Sequence, residues 1–253
     1  MVLALAVGLS ASAADVWYET DFAVNSKFVW RGMVLYNVPA FQPSVSVGVG
    51  GLYFNIWASQ GLMEDVDYEY EAGTFHEFDY MLAYALESDT LELEAGGMVY
   101  TNPAYEEADQ TNELFVTAAF VGVPLSPAVG FYKDGDQTNG TYFTIGASHE
   151  LELASGAALG FDLTLGFGDA SYGAANFPDW DTGAYDPDTD ASGMTDFALA
   201  TTLSKAIIDD EEGEGIVFGW AVNLTLTQVL GPYADNAKPA GNAILGVSLN
   251  ASF

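Results

Sequence analysis

The chain has 253 residues, with 36 Asp and Glu against 5 Lys and Arg, a net charge of −31 and no Cys. Absent cysteine excludes disulfides and thiolate chemistry, and so large a deficit of base excludes an electrostatic nucleic-acid surface. With 50% hydrophobic and 14% aromatic residues, the chain is too apolar for disorder and long enough for one barrel or one large sandwich.

Residues 1–14 carry an apolar run, Val2 to Leu9, ahead of Ser10-Ala11-Ser12-Ala13-Ala14. An apolar core leading into small residues is the pattern of a secretory signal, too short to span a bilayer as a helix. The usual basic n-region is missing, so the expected leader has its true start upstream. Cleavage after Ala13 or Ala14 would leave residues 15–253 as the mature domain. No later stretch approaches the roughly 18 apolar residues of a membrane helix. Only helices and closed barrels satisfy their backbone in lipid, so a membrane location requires a barrel.

Across 16–32 the even positions are Val16, Tyr18, Thr20, Phe22, Val24, Ser26, Phe28 and Trp30, while Glu19, Asp21, Asn25, Lys27 and Arg31 alternate with them. One face suits lipid and the other a wet interior, which predicts a first strand over the whole segment. Further strands are predicted over 42–50, 51–59, 76–87, 90–101, 112–122, 127–134, 141–153, 157–168, 194–204, 215–230 and 243–253. That makes about twelve, an even number, as expected of single-chain bacterial outer-membrane barrels. In the last strand Ala243, Leu245, Val247, Leu249, Ala251 and Phe253 alternate with small or polar residues and Ile244. A tilted strand of about ten residues just crosses the hydrocarbon core. The final Phe253 resembles the signal read by the barrel-assembly machinery, which is therefore an expected partner beside outer-membrane lipid. The edge strand of a soluble secreted sandwich would alternate in the same way.

Connections 50–51, 88–89, 123–126 and 154–156 are short, while 60–75, 102–111 and 169–193 are long. Their alternation is that of periplasmic turns and external loops. It predicts an all-β, transmembrane, antiparallel up-and-down barrel with both termini in the periplasm. Aromatics at strand ends, Trp17, Tyr18, Phe28, Trp30, Tyr53, Trp57, Tyr100, Tyr142 and Phe167, are expected to form the interfacial girdles.

Phasing each strand by its apolar face leaves an interior of small residues and carboxylates. Glu19, Asp21, Glu77, Asp79, Glu92, Glu94 and Asp162 are the candidate pore-lining acids, with Lys27 and Arg31 the bases on the inward face of the first strand. Rings of Asp and Glu favour cations in a pore. The planar guanidinium of Arg31 suits bidentate pairing with a facing carboxylate and would narrow the lumen near its outer end. Two interiors remain open: a water-filled passage, or polar residues paired into a solid plug.

The long loops are acidic, with Glu64, Asp65, Asp67, Glu69 and Glu71 in one and Asp179, Asp181, Asp186, Asp188 and Asp190 in another. Asp186 opens a calcium-loop pattern, but Ala191 and Phe197 stand where its turn Gly and bidentate Glu belong, so a solvated anionic face is expected. The two His residues, His76 and His149, phase to the lipid side, and His149 cannot reach the adjacent Ser148 across the strand. No catalytic, metal or cofactor constellation follows, and an enzyme is not expected.

The run Ser26-Lys27-Phe28-Val29-Trp30-Arg31-Gly32, then Pro39-Ala40-Phe41-Gln42-Pro43-Ser44 and Leu52-Tyr53-Phe54-Asn55-Ile56-Trp57-Ala58-Ser59, resembles the opening of the TorF-like porin family. Those outer-membrane proteins begin with Ser-x-Tyr-Val-Phe-Arg-Gly, a Gln-Pro-Ser segment and a Gly-Phe/Tyr-x-x-x-Trp-x-Ser strand. His76-Glu77-Phe78-Asp79-Tyr80, Thr111-Asn112-Glu113-Leu114 and Leu125-Ser126-Pro127 continue the likeness over about the first 150 residues. Phe28 and Trp30 replace Tyr and Phe, and Leu52 stands where a Gly-Phe pair is usual. The resemblance implies a β-barrel enclosing a pore and names no solute. The function expected is a passive, cation-preferring diffusion channel for small solutes. A non-conducting structural or adhesive barrel is the alternative, and a soluble sandwich a more distant one.

Overall fold

A computed structural model describes residues 16–65, 71–103, 109–177, 192–208, 216–234, 237 and 240–253. The expected leader, Asp67, Glu69, Lys238 and the acids of 179–190 lie outside the described residues.

The barrel strands are β1 (Val16–Asn25), β4 (Ala40–Val49), β5 (Leu52–Gly61), β6 (Phe75–Glu87), β7 (Glu92–Asn102) and β8 (Asp109–Ala119). They continue with β9 (Ala128–Asp134), β10 (Thr141–Glu152), β11 (Ala158–Gly168), β12 (Gly193–Ile208), β13 (Val217–Val229) and β14 (Gly241–Ser252). These twelve form a closed antiparallel barrel in which each strand pairs with its neighbours in sequence. Closure is made by β1 on β14, with Glu19 opposite Ser252 and Asn25 opposite Gly246. No edge strand is left, so every ladder donor and acceptor can be satisfied without water.

Alternation assigns the faces. Val16, Tyr18, Phe22 and Val24 of β1, Leu52, Phe54 and Ile56 of β5, and Leu245, Val247 and Leu249 of β14 are all exposed on the outside. A continuous apolar belt on a closed barrel belongs in lipid, and this is a bacterial outer-membrane barrel.

The segment predicted as one first strand divides in two. β1 ends at Asn25, and Phe28–Trp30 (β2) pairs with Met33–Tyr36 (β3) in a separate two-stranded hairpin. Trp30 pairs with Met33, so Arg31 and Gly32 are the two loop residues, with φ of 46° and 84°. Positive φ at both central residues is the type I′ signature, whose twist matches a tight hairpin. An extended run alternates in the same way whether it crosses a membrane or doubles back into a lumen. Lys27 and Arg31 therefore do not sit on the inward face of β1.

Two further expectations change. The β5–β6 register shifts between Ser59 and Gln60, which turns His76 inward to pack on Tyr36 with ring centroids 4.2 Å apart. Strand β12 runs to Ile208, past the end predicted at 204, so Lys205 lies in a strand. A short helix, α1 (Ala170–Asn176), and a 3-10 turn, Gly231–Ala234, add an aromatic cluster at the long-loop end, where Phe177 and Tyr233 meet at 5.1 Å.

Candidate pore and its constriction

The inward faces divide the lumen lengthwise. Toward the end that carries the short turns, Glu19, Asp21, Glu94, Ser148, Asp162 and Thr164 are only partly buried, among Ala83, Gly96 and Gly146. Partial exposure on an inward face means contact with water, and Trp17 and Tyr53 share this half with the carboxylates. Toward the long loops, Asn25, Gln42, Ser59, Glu77, Glu113, Asp134, Asp196 and Asn242 are buried. There Asn25 donates to Gln42 at 2.6 Å and Gln42 donates to Ser59 at 3.3 Å, so the dry half is satisfied by side-chain pairs.

The hairpin creates this dry half. At its base Phe28 packs on Trp57 at 5.2 Å, the Tyr36 hydroxyl donates to the Met63 carbonyl at 2.8 Å, and the Asn37 N–H donates to Asp65 at 2.8 Å. A Cβ at Gly61 would collide with the Tyr36 ring, so only glycine lets that wall strand approach so closely. The tip reaches β8, where Arg31 donates to both Glu113 oxygens at 2.8 and 2.9 Å. Both side chains are nearly dry, 7% and 6% exposed. Tyr100 donates to the same Glu113 at 3.1 Å.

Aromatic faces enclose the guanidinium. Its carbon lies 4.4 Å from the Trp30 ring, 4.8 Å from Tyr132, 4.1 Å from Tyr142 and 5.8 Å from Tyr172, all within cation–π range. Tyr142 in turn donates to Asp196 at 3.1 Å. The Tyr172 hydroxyl is buried beside the guanidinium. Burial opposes the charge on Arg31, but the Glu113 carboxylate beside it, and the bonds it accepts, raise its pKa above that of free arginine. Burial raises the Tyr172 phenol pKa as well, so that group stays neutral. Tyr172 is held by α1, whose cap Asp169 accepts from the Tyr172 N–H at 2.8 Å and from the Thr141 N–H at 2.9 Å.

The predicted lining residues separate accordingly. Glu19, Asp21, Glu94 and Asp162 face the wet half, with Glu94 accepting from Tyr53 at 2.6 Å, and Glu92 is exposed at its rim. Glu77 and Asp79 lie in the dry half on β6, where Asp79 Oδ1 is buried with no hydrogen-bond partner among the described residues. Lys27 reaches Asn242 at 3.3 Å.

The expected aromatic girdle is largely overturned. Trp17, Phe28, Trp30, Tyr53, Trp57, Tyr100 and Tyr142 face the interior or belong to the hairpin, while Tyr18 and Phe167 face outward. Their phase explains it: Tyr53 and Trp57 alternate with the outward Leu52, Phe54 and Ile56. Glu113, Tyr132, Tyr172 and Asp196 are site residues the sequence reading did not select. Phasing β8 would have found Glu113, which shares its face with Phe115.

No family model matches the chain, and no curated protein matches it. Among solved structures, an outer-membrane channel from Pseudomonas putida F1 aligns with 10% identity and a TM-score of 0.53, covering 96% of this chain and 97% of that one. The NanC porin aligns with 10% identity and a TM-score of 0.49, over 92% of this chain and 98% of that one. At such identity the first likeness speaks to architecture. The molecule is therefore a closed twelve-stranded outer-membrane β-barrel with the architecture of an outer-membrane channel.

Proposed function

We propose that the protein is a passive diffusion channel for small solutes and prefers cations. The observation that carries this reading is the wet half-lumen, whose charged inward groups include Glu19, Asp21, Glu94, Glu150 and Asp162 with no base among them in the described residues. Carboxylates in a narrow aqueous passage lower the energy of cations and raise that of anions. The hairpin tip reaches across the lumen to Glu113 of β8, so passage runs beside it or needs it to shift. The likeness to an outer-membrane channel agrees with this reading without assigning a solute.

The motif-level resemblance supports membership of the TorF-like porins, residues 1–14 are taken as a secretory leader, and β14 with Phe253 as the segment that engages the barrel-assembly machinery. One observation favours a second reading, a non-conducting structural barrel: the long-loop half is filled by the hairpin and its aromatic partners.

Recordings of purified protein in planar lipid decide between them. Reversal potentials across a KCl gradient should show K⁺ preferred to Cl⁻, with the preference reduced at high salt as the carboxylates are screened. Glu19→Gln with Asp21→Asn should lower it without abolishing current. An anion-selective current contradicts the assignment, and a folded barrel that never conducts leaves the structural reading.

A further inference from the structure

The surroundings of Arg31 have the composition of a ligand site. A buried carboxylate presents two oxygens to a planar cation, four aromatic rings cover its faces, and a buried tyrosine hydroxyl lies beside it. Three of those rings, Tyr132, Tyr142 and Tyr172, and the carboxylate come from the barrel and α1, not from the hairpin that inserts the arginine. The receptor and its occupant therefore belong to different elements, as a site and a ligand do.

Arg31 enters from a turn that costs its backbone a left-handed conformation, φ 46°, where asparagine or glycine is the usual choice. Its guanidinium, and no local backbone need, explains the residue.

We propose that Glu113, Tyr132, Tyr142 and Tyr172, closed by Trp30, form a recognition site for guanidinium-bearing solutes, which Arg31 occupies as an intramolecular ligand and a passing solute takes by competition. The proposal deepens the channel reading by naming a solute class, and the competition it describes rests on that reading. Guanidinium is singled out by three features. The two-oxygen fork matches parallel N–H donors, the ring faces match a planar cation, and the dryness of the site suits a weakly hydrated ion. An alkali ion would lose its water and gain neither fork nor stacking. Because Arg31 is tethered, its effective concentration is about millimolar or above, so a competing solute acts in the same range.

Chemical rescue tests the site without reference to conduction. Arg31→Ala empties the box and leaves Glu113 unpaired, which lowers the thermal unfolding temperature in non-ionic detergent. Methylguanidinium at about 10 mM, in the concentration range of a tethered competitor, should recover several degrees of that loss. Sodium, tetramethylammonium and urea at the same concentration should not, and Arg31→Ala with Glu113→Gln should show no rescue. If Arg31→Ala does not fold, Arg31→Met, which keeps the aliphatic stem, takes the same measurement. Absence of rescue, or equal rescue by tetramethylammonium, overturns the site.

In planar lipid the wild-type conductance should rise with methylguanidinium and not with tetramethylammonium. Equal responses overturn the competition. Rescue in a barrel that never conducts removes the channel reading and keeps the binding site, whereas conduction without rescue removes the site alone.

Discussion

Arg31 and Glu113 form a charge pair that neither residue could leave singly at low cost. Removing one member of a buried pair strands the other charge in a dry site, a loss of roughly 3–5 kcal/mol, whereas replacing both with apolar groups of similar size is often close to neutral. Glu113→Gln should therefore destabilise the detergent-solubilised barrel by about that amount, and Arg31→Met combined with Glu113→Leu should recover most of it. Denaturant or thermal unfolding of the three variants checks the order. Gly32 is constrained independently: its φ is 84°, and a Cβ there would lie 3.0 Å from both Asp196 and Val229.

At the scale of elements, the strands were legible because lipid and lumen impose opposite preferences on alternate residues, and that contrast survives without any alignment. β14 shows it cleanly, with Val247 exposed outside and Ser248 facing in opposite Ala23 and Ala221. Arg at a lipid-facing midplane position costs about 2–4 kcal/mol. Val247→Arg should impair assembly far more than Ser248→Arg, read as the fraction of chain that migrates fast on unheated SDS gels. The β2–β3 hairpin was not legible, because its residues alternate like a spanning strand; the positive φ at Arg31-Gly32 is set by the fold and is only hinted at by an X-Gly pair.

The aromatics misled for a related reason. Tyr53, Trp57, Tyr100 and Tyr142 satisfy the composition of a girdle, and only phase against their neighbours shows that they fill the lumen.

The element α1 carries the pH dependence. Burial tends to raise the pKa of Asp169, but hydrogen bonds from the Tyr172 and Thr141 backbones and from the Thr141 side chain, with the charge of Lys133, outweigh it and hold the pKa below the usual aspartate value. A depressed folded-state pKa stabilises above the unfolded value, about pH 4, and the contribution is lost as pH falls through the folded one. Near-UV dichroism from the Tyr142–Tyr172 contact should weaken below about pH 4 in the wild type, and Asp169→Asn should remove that titration.

The whole molecule is a cylinder with a wet half and a dry half, and the absence of cysteine makes that division directly measurable. Single cysteines introduced at Ser148 or Thr164 should react readily with a charged, water-soluble thiol reagent. One at Ser59, fully buried under the hairpin, should resist it, and should become reactive when Glu113→Gln releases the hairpin tip. Equal reactivity at all three positions would falsify the lengthwise division.

The hairpin also imposes an order on biogenesis. Its two strands are adjacent in the chain, so their pairing is available as soon as residues 28–36 emerge. Glu113 is 82 positions from Arg31, and the seam between β1 and β14 joins residues more than 200 apart, as in the pair of Thr20 with Ala251. The hairpin must therefore be carried inward by a growing, still open sheet. Tip capture by β8 needs only the first half of the chain, while closure waits for the last strand. A nascent barrel in this order acquires its internal strut before its wall is complete, so a fault in the strut is felt during construction as well as in the finished molecule.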